Sequence, residues 1–399
     1  MFDRLPPART DSLMELGLLM QADPRADKID LGVGTYRDER GGIPIMRAVK
    51  TAEQMILDAQ TSKGYVGPAG DAEFALRLQE ATFAGLEGAA SGRLAHIQTP
   101  GGTGALRLAL QLIAQANPDA RVWIGVPTWP AHLPLIEAVG LTVQTFAHLD
   151  AEGNANLEAL NLALAQAQPG DVVLLHGCCH NPTGADLPLE AWRATAAVAA
   201  NRGLTPLIDL AYPGLGDGVE ADVAGVRALL DVCETALVAL SCSKSFGLYR
   251  DRAGMLMMLS ASSAGAVNLG RTAAGQARLL WSNPPDHGAA VVKAVLGSAE
   301  LTQQWRAELD AMRVRVNGVR ARLAALPLQR LDLSRLSQQR GMFALLPVSV
   351  DEVRALRERH AVYMDVSGRI NVAGLNDANF ERFAVALAEI DKLTPKAAV

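Results

Sequence analysis

A series of apolar segments between about residues 95 and 295 limits the folds open to this chain more than any other feature. Five short segments are almost continuously apolar, and longer segments of helical composition separate them: residues 121–126, 171–178, 204–211, 236–243 and 254–260. A strand that helices cover on both faces loses the alternation of apolar and polar residues. The sequence therefore predicts an α/β fold with a mainly parallel sheet between helical layers, and a binding site at the carboxyl ends of the strands.

The pattern changes after residue 298. Apolar residues then recur every three or four positions from Leu301 to Leu323, which predicts one long amphipathic helix. A short apolar segment at 369–374 and a final helix from about Asn376 complete a smaller α+β domain. We expect three parts: an N-terminal segment, residues 1–43, that packs with the small domain; a large domain, residues 44–298; and the long helix with the small domain, residues 299–399.

Composition excludes several classes of protein. The 37 Lys and Arg residues are balanced by 42 Asp and Glu residues, which argues against nucleic acid or an anionic membrane as a partner. No apolar run reaches the roughly 18 residues that span a bilayer, and the first residues lack the apolar stretch of a signal peptide. Four cysteines are too few for a disulfide framework at this length, so we expect reduced thiols and a cytoplasmic location.

Polar and aromatic residues follow the ends of the predicted strands. They are Trp129, Asn181, Asp209, Tyr212, Ser241, Ser243, Lys244 and Arg252. In addition, Gly101-Gly102-Thr103-Gly104 stands immediately before a predicted helix. One chemistry uses all of these residues together, namely a phosphorylated aldehyde cofactor held as a Schiff base.

Each of these residues also has an ordinary interpretation. Most lysines are solvated surface residues, and Asp209 is also compatible with a helix cap. Lys244, however, follows an apolar strand, where a desolvated amine forms an imine. A carboxylate buried beneath a pyridine ring, as Asp209 would be, keeps the ring nitrogen protonated.

The phosphate group of such a cofactor has its own candidate site. Bare N–H groups at the start of a helix bind phosphate, so Gly102 is a candidate and Thr103 adds a hydroxyl. Arg252 together with Ser241 and Ser243 is suited to clamp a phosphate dianion.

A metal site is the competing interpretation of His176-Gly-Cys-Cys-His180. A structural zinc site needs a second pair of ligands, and Cys233 and Cys242 are not paired at ligand spacing. A catalytic zinc would still need a third ligand from elsewhere. We therefore expect no metal and favour a structural role for both histidines, with a metal-dependent hydrolase as the alternative.

Motifs along most of the chain resemble the class I pyridoxal-phosphate aminotransferases, in the aspartate and aromatic amino acid subgroup. HGCCHNPTG and SCSKSFGLYRDR are the most specific, and the others are LGVGTYRDERGGIPIM, TPGGTGALR, PTWPAH, PLIDLAYPGLGDG, SNPPDHGA and SGRINVAGLN. The resemblance implies the fold type I of pyridoxal-phosphate transferases. It also implies pyridoxal 5′-phosphate as the cofactor.

The resemblance assigns the residues that bind the cofactor. Lys244 is implied to form the Schiff base and to act as general base, and Asp209, supported by His132, to pair with the pyridinium nitrogen. Tyr212 and Asn181 would bind the phenolate oxygen and Trp129 would stack on the ring. The phosphate would be held by Gly102, Thr103, Ser241, Ser243 and Arg252, and by Tyr65 of a neighbouring subunit.

The same resemblance assigns the substrate side. Arg369 would bind the α-carboxylate, Gly34 would close over the substrate, and Arg278 would pair with a distal carboxylate. Amino acids and 2-oxo acids such as 2-oxoglutarate are the implied substrates, in a ping-pong exchange within a homodimer with shared active sites. Gly64 and Trp281 depart from the family pattern, so the choice between aspartate and aromatic donors stays open.

Two further alternatives are weighed against this prediction. A lyase or decarboxylase would keep the fold and the cofactor, but two arginines for two carboxylates favour transamination. A non-catalytic two-lobed binding protein would fit a secreted chain, whereas no signal peptide is recognised here.

Overall fold

The computed structural model describes residue 2 and residues 12–392. Its strands, in chain order, are β1 Ile29–Asp30, β2 Leu94–Pro100, β3 Arg121–Val126, β4 Thr142–Ala147, β5 Val172–His176, β6 Thr205–Leu210, β7 Ala236–Ser241, β8 Ala253–Leu259, β9 Phe343–Leu345, β10 Val362–Tyr363 and β11 Arg369–Asn371. Seven of these strands form one sheet in the order β2-β8-β7-β6-β5-β3-β4. Strands β3 to β7 pair in parallel, and β8 runs antiparallel to both of its neighbours.

The five apolar segments of the sequence correspond to the five central strands, β3 and β5 to β8. Every residue of β7 and β8 is buried, because helices cover both faces of the sheet. The two edge strands were not predicted. Strand β4 is largely exposed or half-buried, and β2 carries His96 and Gln98, so neither has the continuous apolar pattern of a central strand.

Helices occupy most of the remaining chain. They are α1 Ser12–Ala22, α2 Arg47–Ala59, α3 Ala72–Phe83, α4 Glu87–Ala90, α5 Gly101–Ala116, α6 His132–Glu137, α7 Leu157–Gln166, α8 Leu189–Arg202, α9 Val219–Asp222, α10 Ala224–Leu230, α11 Ser263–Leu280, α12 His287–Gly297, α13 Ala299–Ala324, α14 Val350–His360 and α15 Phe380–Asp391. Helix α5 begins at Gly101, so the glycine motif forms its first turn rather than preceding it. None of the helices in the described part of the chain is long and apolar enough to cross a membrane.

The long helix predicted after residue 298 is α13, and its buried residues include the predicted series from Leu301 to Leu323. Its last turns pack into a separate apolar core with β9 to β11, α14 and α15. The final helix begins at Phe380, four residues later than expected. The Asn376 N–H donates to Asn379 Oδ1 and Asn379 Nδ2 donates to the Gly374 carbonyl, so residues 376–379 form a turn before the helix.

The N-terminal part of the chain joins this second core. Ile29 and Leu31 are buried in it, and β1 pairs in parallel with β10. This pairing agrees with an N-terminal segment that packs with the small domain. The three-part division, with its boundaries at residues 43 and 298, stays a prediction, and residues 1, 3–11 and 393–399 lie outside the described residues.

Candidate active site

A cavity of about 210 Å³ lies at the carboxyl ends of the central strands. The structure brings ten of the predicted site residues together around it: Gly102, Thr103, Trp129, Asn181, Asp209, Tyr212, Ser241, Ser243, Lys244 and Arg252. Leu106, His176 and Ala211 also line the cavity. The carboxyl ends of parallel strands meet at one edge of a sheet, which is why residues so far apart in sequence converge here.

Asp209 lies at one end of a hydrogen-bonded chain. His132 Nε2 is 3.0 Å from Asp209 Oδ2, and His132 Nδ1 is 2.8 Å from Thr128 Oγ1. Thr128 Oγ1 is in turn 3.0 Å from His176 Nε2. Burial raises the pKa of Asp209, but His132, His176 and Lys244 lower it more, so the net shift is downward. The structure therefore provides a buried, ionised carboxylate on the cavity wall.

Lys244 enters the cavity directly after β7. Its Nζ lies 5.1 Å from the centre of the Tyr212 ring. Burial lowers the pKa of Lys244, the Asp209 carboxylate opposes that shift, and the Arg252 charge adds to it. A lowered pKa makes the neutral, nucleophilic amine more accessible.

Tyr212 and Asn181 contact each other in the cavity lining. Asn181 Nδ2 is 3.5 Å from the Tyr212 hydroxyl, a long contact. Burial, and then the Asp209 charge, raises the pKa of Tyr212 well above its ordinary value, so the phenol stays protonated. Asn181 Oδ1 is buried and has no hydrogen-bond partner within the described chain. Such an orphaned acceptor is costly unless a bound group satisfies it.

The part of the cavity at Gly102, Thr103 and Arg252, its anion end, is suited to bind an anion. The first turn of α5 contributes Gly102 and Thr103, and Arg252 reaches the same place from the loop after β7. Arg252 Nη1 donates to Ser243 Oγ at 3.3 Å and to the Tyr249 carbonyl at 2.9 Å. At Gly101, whose φ is +69°, a Cβ atom would lie 2.6 Å from Arg252 Nη2. A residue with a side chain would therefore displace the guanidinium.

Arg369 and Gly34 come from the second core and lie outside the cavity lining. Arg369 is only 4% exposed; its Nη2 donates to the Gly32 carbonyl at 3.1 Å, and its guanidinium lies 4.9 Å from the centre of the Phe343 ring. A Cβ at Gly34 would be 2.8 Å from Phe343 Cζ. Phe343 also contacts Tyr212 edge to face at 6.2 Å. Sequence reasoning gave Phe343 no role, because an isolated buried phenylalanine has no distinctive pattern.

Tyr65 and Arg278 are two further predicted residues that are not among those lining the cavity. Tyr65 is 92% exposed. Arg278 is exposed in the last turn of α11 and makes no ion pair with the described residues.

The two histidines of the metal alternative belong to a row of imidazoles. The ring centres of His176 and His180 are 4.1 Å apart, and His148 stacks on His180 at 3.5 Å. Burial lowers the pKa of His176 to about 3 and that of His148 to about 4, so both rings are neutral. His148 was missed, because a single histidine after an edge strand carries no signal.

One group of three side chains has metal-ligand spacing within residues 12–392, and it contains neither His176 nor His180. It consists of Cys178, Cys179 and Asp222. The hydrogen bond with Cys179 lowers the pKa of Cys178, but burial and nearby carboxylates together outweigh it and raise that pKa to about 11. The Asp222 carboxylate already accepts three backbone N–H groups.

Comparison with known proteins gives the family. Residues 26–387 match the family Aminotransferase class I and II. The chain belongs to this family. It is 48% identical over 386 residues to the tyrosine aminotransferase of Rhizobium meliloti (strain 1021). The aligned region covers 96% of this chain and 98% of that protein. The aminotransferase is also 39% identical to the aspartate aminotransferase of Escherichia coli (strain K12), over 98% of this chain and all of that protein.

Solved structures agree with the family. The aromatic-amino-acid aminotransferase from Burkholderia pseudomallei, covalently bound to pyridoxal phosphate, has a TM-score of 0.95 at 37% identity and covers 98% of this aminotransferase and all of that chain. The predicted family and fold are therefore confirmed. Family membership also decides against the metal-dependent hydrolase and the two-lobed binding protein. The roles of individual residues stay predictions.

Proposed function

We propose that this protein transfers the amino group of aspartate and of aromatic amino acids to 2-oxoglutarate, with pyridoxal 5′-phosphate as its cofactor. The observation that carries the proposal is the convergence of Lys244, Asp209 and Arg252 on one cavity. An amine, a buried carboxylate and an anion clamp are the three groups that a phosphorylated pyridine aldehyde needs.

The residues present fit the cofactor. Asn181 Oδ1 is a buried acceptor that lacks a partner in the described chain, and the Gly101 backbone leaves room for the Arg252 guanidinium. Gly102, Thr103, Ser241, Ser243 and Arg252 would hold the phosphate. Asp209 would pair with the ring nitrogen, Tyr212 and Asn181 would face the phenolate oxygen, and Trp129 would cover the ring.

When bound, pyridoxal phosphate supplies an electron sink for the substrate α carbon. Lys244 then acts as the general base: its Nζ takes the proton from the substrate α carbon and later returns a proton. Its lowered pKa suits this work, because a base operates best when its pKa is near the working pH. Asp209, held ionised by His132, keeps positive charge at the ring nitrogen.

The two substrate carboxylates would meet two arginines. Arg369 would bind the α-carboxylate as a bidentate fork, with Gly34 closing over the substrate. Arg278 would pair with the distal carboxylate of aspartate, glutamate or 2-oxoglutarate. Recognition of two carboxylates favours transamination over a lyase or decarboxylase reaction, because the donor aspartate and the acceptor 2-oxoglutarate each carry two carboxylates.

We propose a homodimer in which Tyr65 and Arg278 complete the active site of the partner. Support comes from their exposure, since both side chains are exposed in one chain and neither is among the residues that line its own cavity. A C2 interface places the same surface of both subunits against each other, so two equivalent sites would form.

Two broader features complete the proposal. The N-terminal segment and the small domain would move together and close on the substrate, because β1 pairs with β10. A reducing, cytoplasmic location agrees with four free, buried cysteines.

The test is a panel of amino donors with 2-oxoglutarate and added pyridoxal phosphate. The proposal expects 2-oxoglutarate to be converted to glutamate with aspartate as donor and with phenylalanine or tyrosine as donor, and an equal amount of the donor's 2-oxo acid to form. Release of ammonia or carbon dioxide instead would identify a lyase or decarboxylase and refute the proposal.

A further inference from the structure

Residues 33–36, the segment that contains Gly34, are fixed on one side by the strand of Arg369. Asn371 Nδ2 donates to the Val33 carbonyl at 2.6 Å and to the Thr35 carbonyl at 2.7 Å. Asn371 lies two residues after Arg369 in β11. The segment therefore keeps a fixed position relative to Arg369.

On its other side, the same segment contacts the loop that follows Lys244. The backbone N–H of Tyr36 donates to the Tyr249 hydroxyl at 2.8 Å. The Tyr249 carbonyl accepts from Arg252 Nη1 at 2.9 Å. Burial raises the pKa of Tyr249 to about 12, so its hydroxyl is neutral. One residue thus contacts both the segment of Gly34 and the guanidinium that closes the anion end of the cavity.

We propose that Tyr249 is a positioning residue that holds residues 33–36 in register with the cavity through its hydroxyl. This inference rests on the proposed function, because it takes the cavity as the cofactor site and Gly34 as substrate-facing. The two contacts of Tyr249 are chemically separate. Tyr249→Phe removes the hydroxyl that accepts from Tyr36 and leaves the carbonyl that accepts from Arg252.

Loss of the Tyr249 hydroxyl should affect the reaction through residues 33–36 alone. Without its acceptor, the Tyr36 N–H is left unsatisfied in a buried position, so residues 33–36 occupy the substrate-ready position for a smaller fraction of the time. The apparent affinity for the substrate falls in proportion to the fraction of time that residues 33–36 spend in the substrate-ready position. We expect KM to rise about five- to twentyfold for aspartate and phenylalanine alike, with kcat within about twofold of the wild type.

Tyr363→Phe is the matched control. Tyr363 is also a buried tyrosine whose hydroxyl forms a hydrogen bond, with Asp23, but it lies in β10 away from the cavity. Both variants and the wild type are compared for KM and kcat, for pyridoxal phosphate affinity and for melting temperature. Hydrogen–deuterium exchange of the peptide that spans residues 33–36 adds a measurement that needs no turnover.

The expected result has three parts: in Tyr249→Phe the peptide exchanges faster and KM rises, while pyridoxal phosphate affinity stays within about twofold of the wild type. Tyr363→Phe lowers the melting temperature by a similar amount but changes neither exchange nor KM. Unchanged exchange and KM in Tyr249→Phe would overturn the proposal. So would loss of cofactor binding or of folding in Tyr249→Phe alone, since the residue would then support the fold. If the wild type transferred no amino group, the proposed function would fail, while the exchange comparison would still test the contact.

Discussion

His132 Nε2 lies 3.0 Å from Asp209 Oδ2 on the wall of the cavity, and this contact keeps the carboxylate charged. Burial acting alone would raise the pKa of Asp209. The hydrogen bond and the charge of His132 are the largest effects that lower it. The charge of Asp209 therefore depends on a residue that is not among those lining the cavity.

Replacement of His132 should shift the pH profile of the reaction. In His132→Leu the carboxylate loses its hydrogen bond, so the pKa of Asp209 rises and the acid limb of kcat/KM moves to higher pH. We expect kcat to fall by about ten- to hundredfold near neutral pH. His132→Gln retains an N–H donor and should lose less. If the acid limb of kcat/KM lay at the same pH in the wild type and both variants, His132 would not control the pKa of Asp209.

Arg278→Ala should separate the two substrate types. Aspartate loses the partner of its distal carboxylate, a cost on the order of 2–5 kcal/mol in transition-state binding, whereas phenylalanine has no distal charge to lose. The measurement is kcat/KM for both donors.

Two other arginine variants serve as comparisons for Arg278→Ala. Arg369→Ala should reduce kcat/KM for aspartate and phenylalanine alike, because both have an α-carboxylate. Arg271→Ala removes an exposed arginine from the same helix and should leave kcat/KM unchanged for both donors. Equal losses for aspartate and phenylalanine in Arg278→Ala would contradict the proposed assignment.

Asp171 should contribute to stability in a pH-dependent way. Its carboxylate accepts from Trp123 Nε1 at 3.0 Å and pairs with Arg121 at 2.6 Å. Burial raises the pKa of Asp171, but these partners lower it below its ordinary value of 3.8. The stabilisation is therefore fully present above pH 3.8 and is lost as the pH falls through the lower folded-state pKa.

Urea unfolding tests this expectation. Asp171→Asn should lower the free energy of unfolding by about 2 kcal/mol at pH 7, and the difference from the wild type should narrow in acid. Asp351→Asn removes an exposed i,i+3 pair with Arg354 and should change the free energy of unfolding by less than about 0.5 kcal/mol. Similar losses in both variants would refute the special role of the buried carboxylate.

Mixed dimers test the shared active site. Homodimers of Lys244→Ala and of Arg278→Ala should each be nearly inactive toward aspartate. After random subunit exchange about half of the dimers are mixed, and each mixed dimer has one site with both residues intact, so roughly one site in four should recover. If exchange is demonstrated by mass and no activity returns, each chain builds its own site.

Most of the sheet and much of the candidate site could be predicted from the sequence, and for one reason. Strands buried on both faces have a recognisable apolar pattern, and the residues that follow them must converge. The strands β2 and β4 lack that pattern because they lie at the edges of the sheet, where each has a neighbouring strand on one side only. The link from His132 through Thr128 to His176 was also not predicted, since it depends on the register between β3 and β5.

Lys244 is proposed to hold pyridoxal phosphate in this cavity. Borohydride reduction, which fixes the cofactor to the lysine that carries it, identifies that lysine directly. The chain has seven lysines, and of those within residues 12–392 Lys244 is the one that lines the cavity. The protein loaded with pyridoxal phosphate is reduced, digested and analysed by peptide mass spectrometry, with Lys244→Ala and Lys293→Ala in parallel. We expect a pyridoxyl group on Lys244 in the wild type and in Lys293→Ala, and none at that peptide in Lys244→Ala. Stoichiometric modification of a different lysine in the wild type would contradict this expectation.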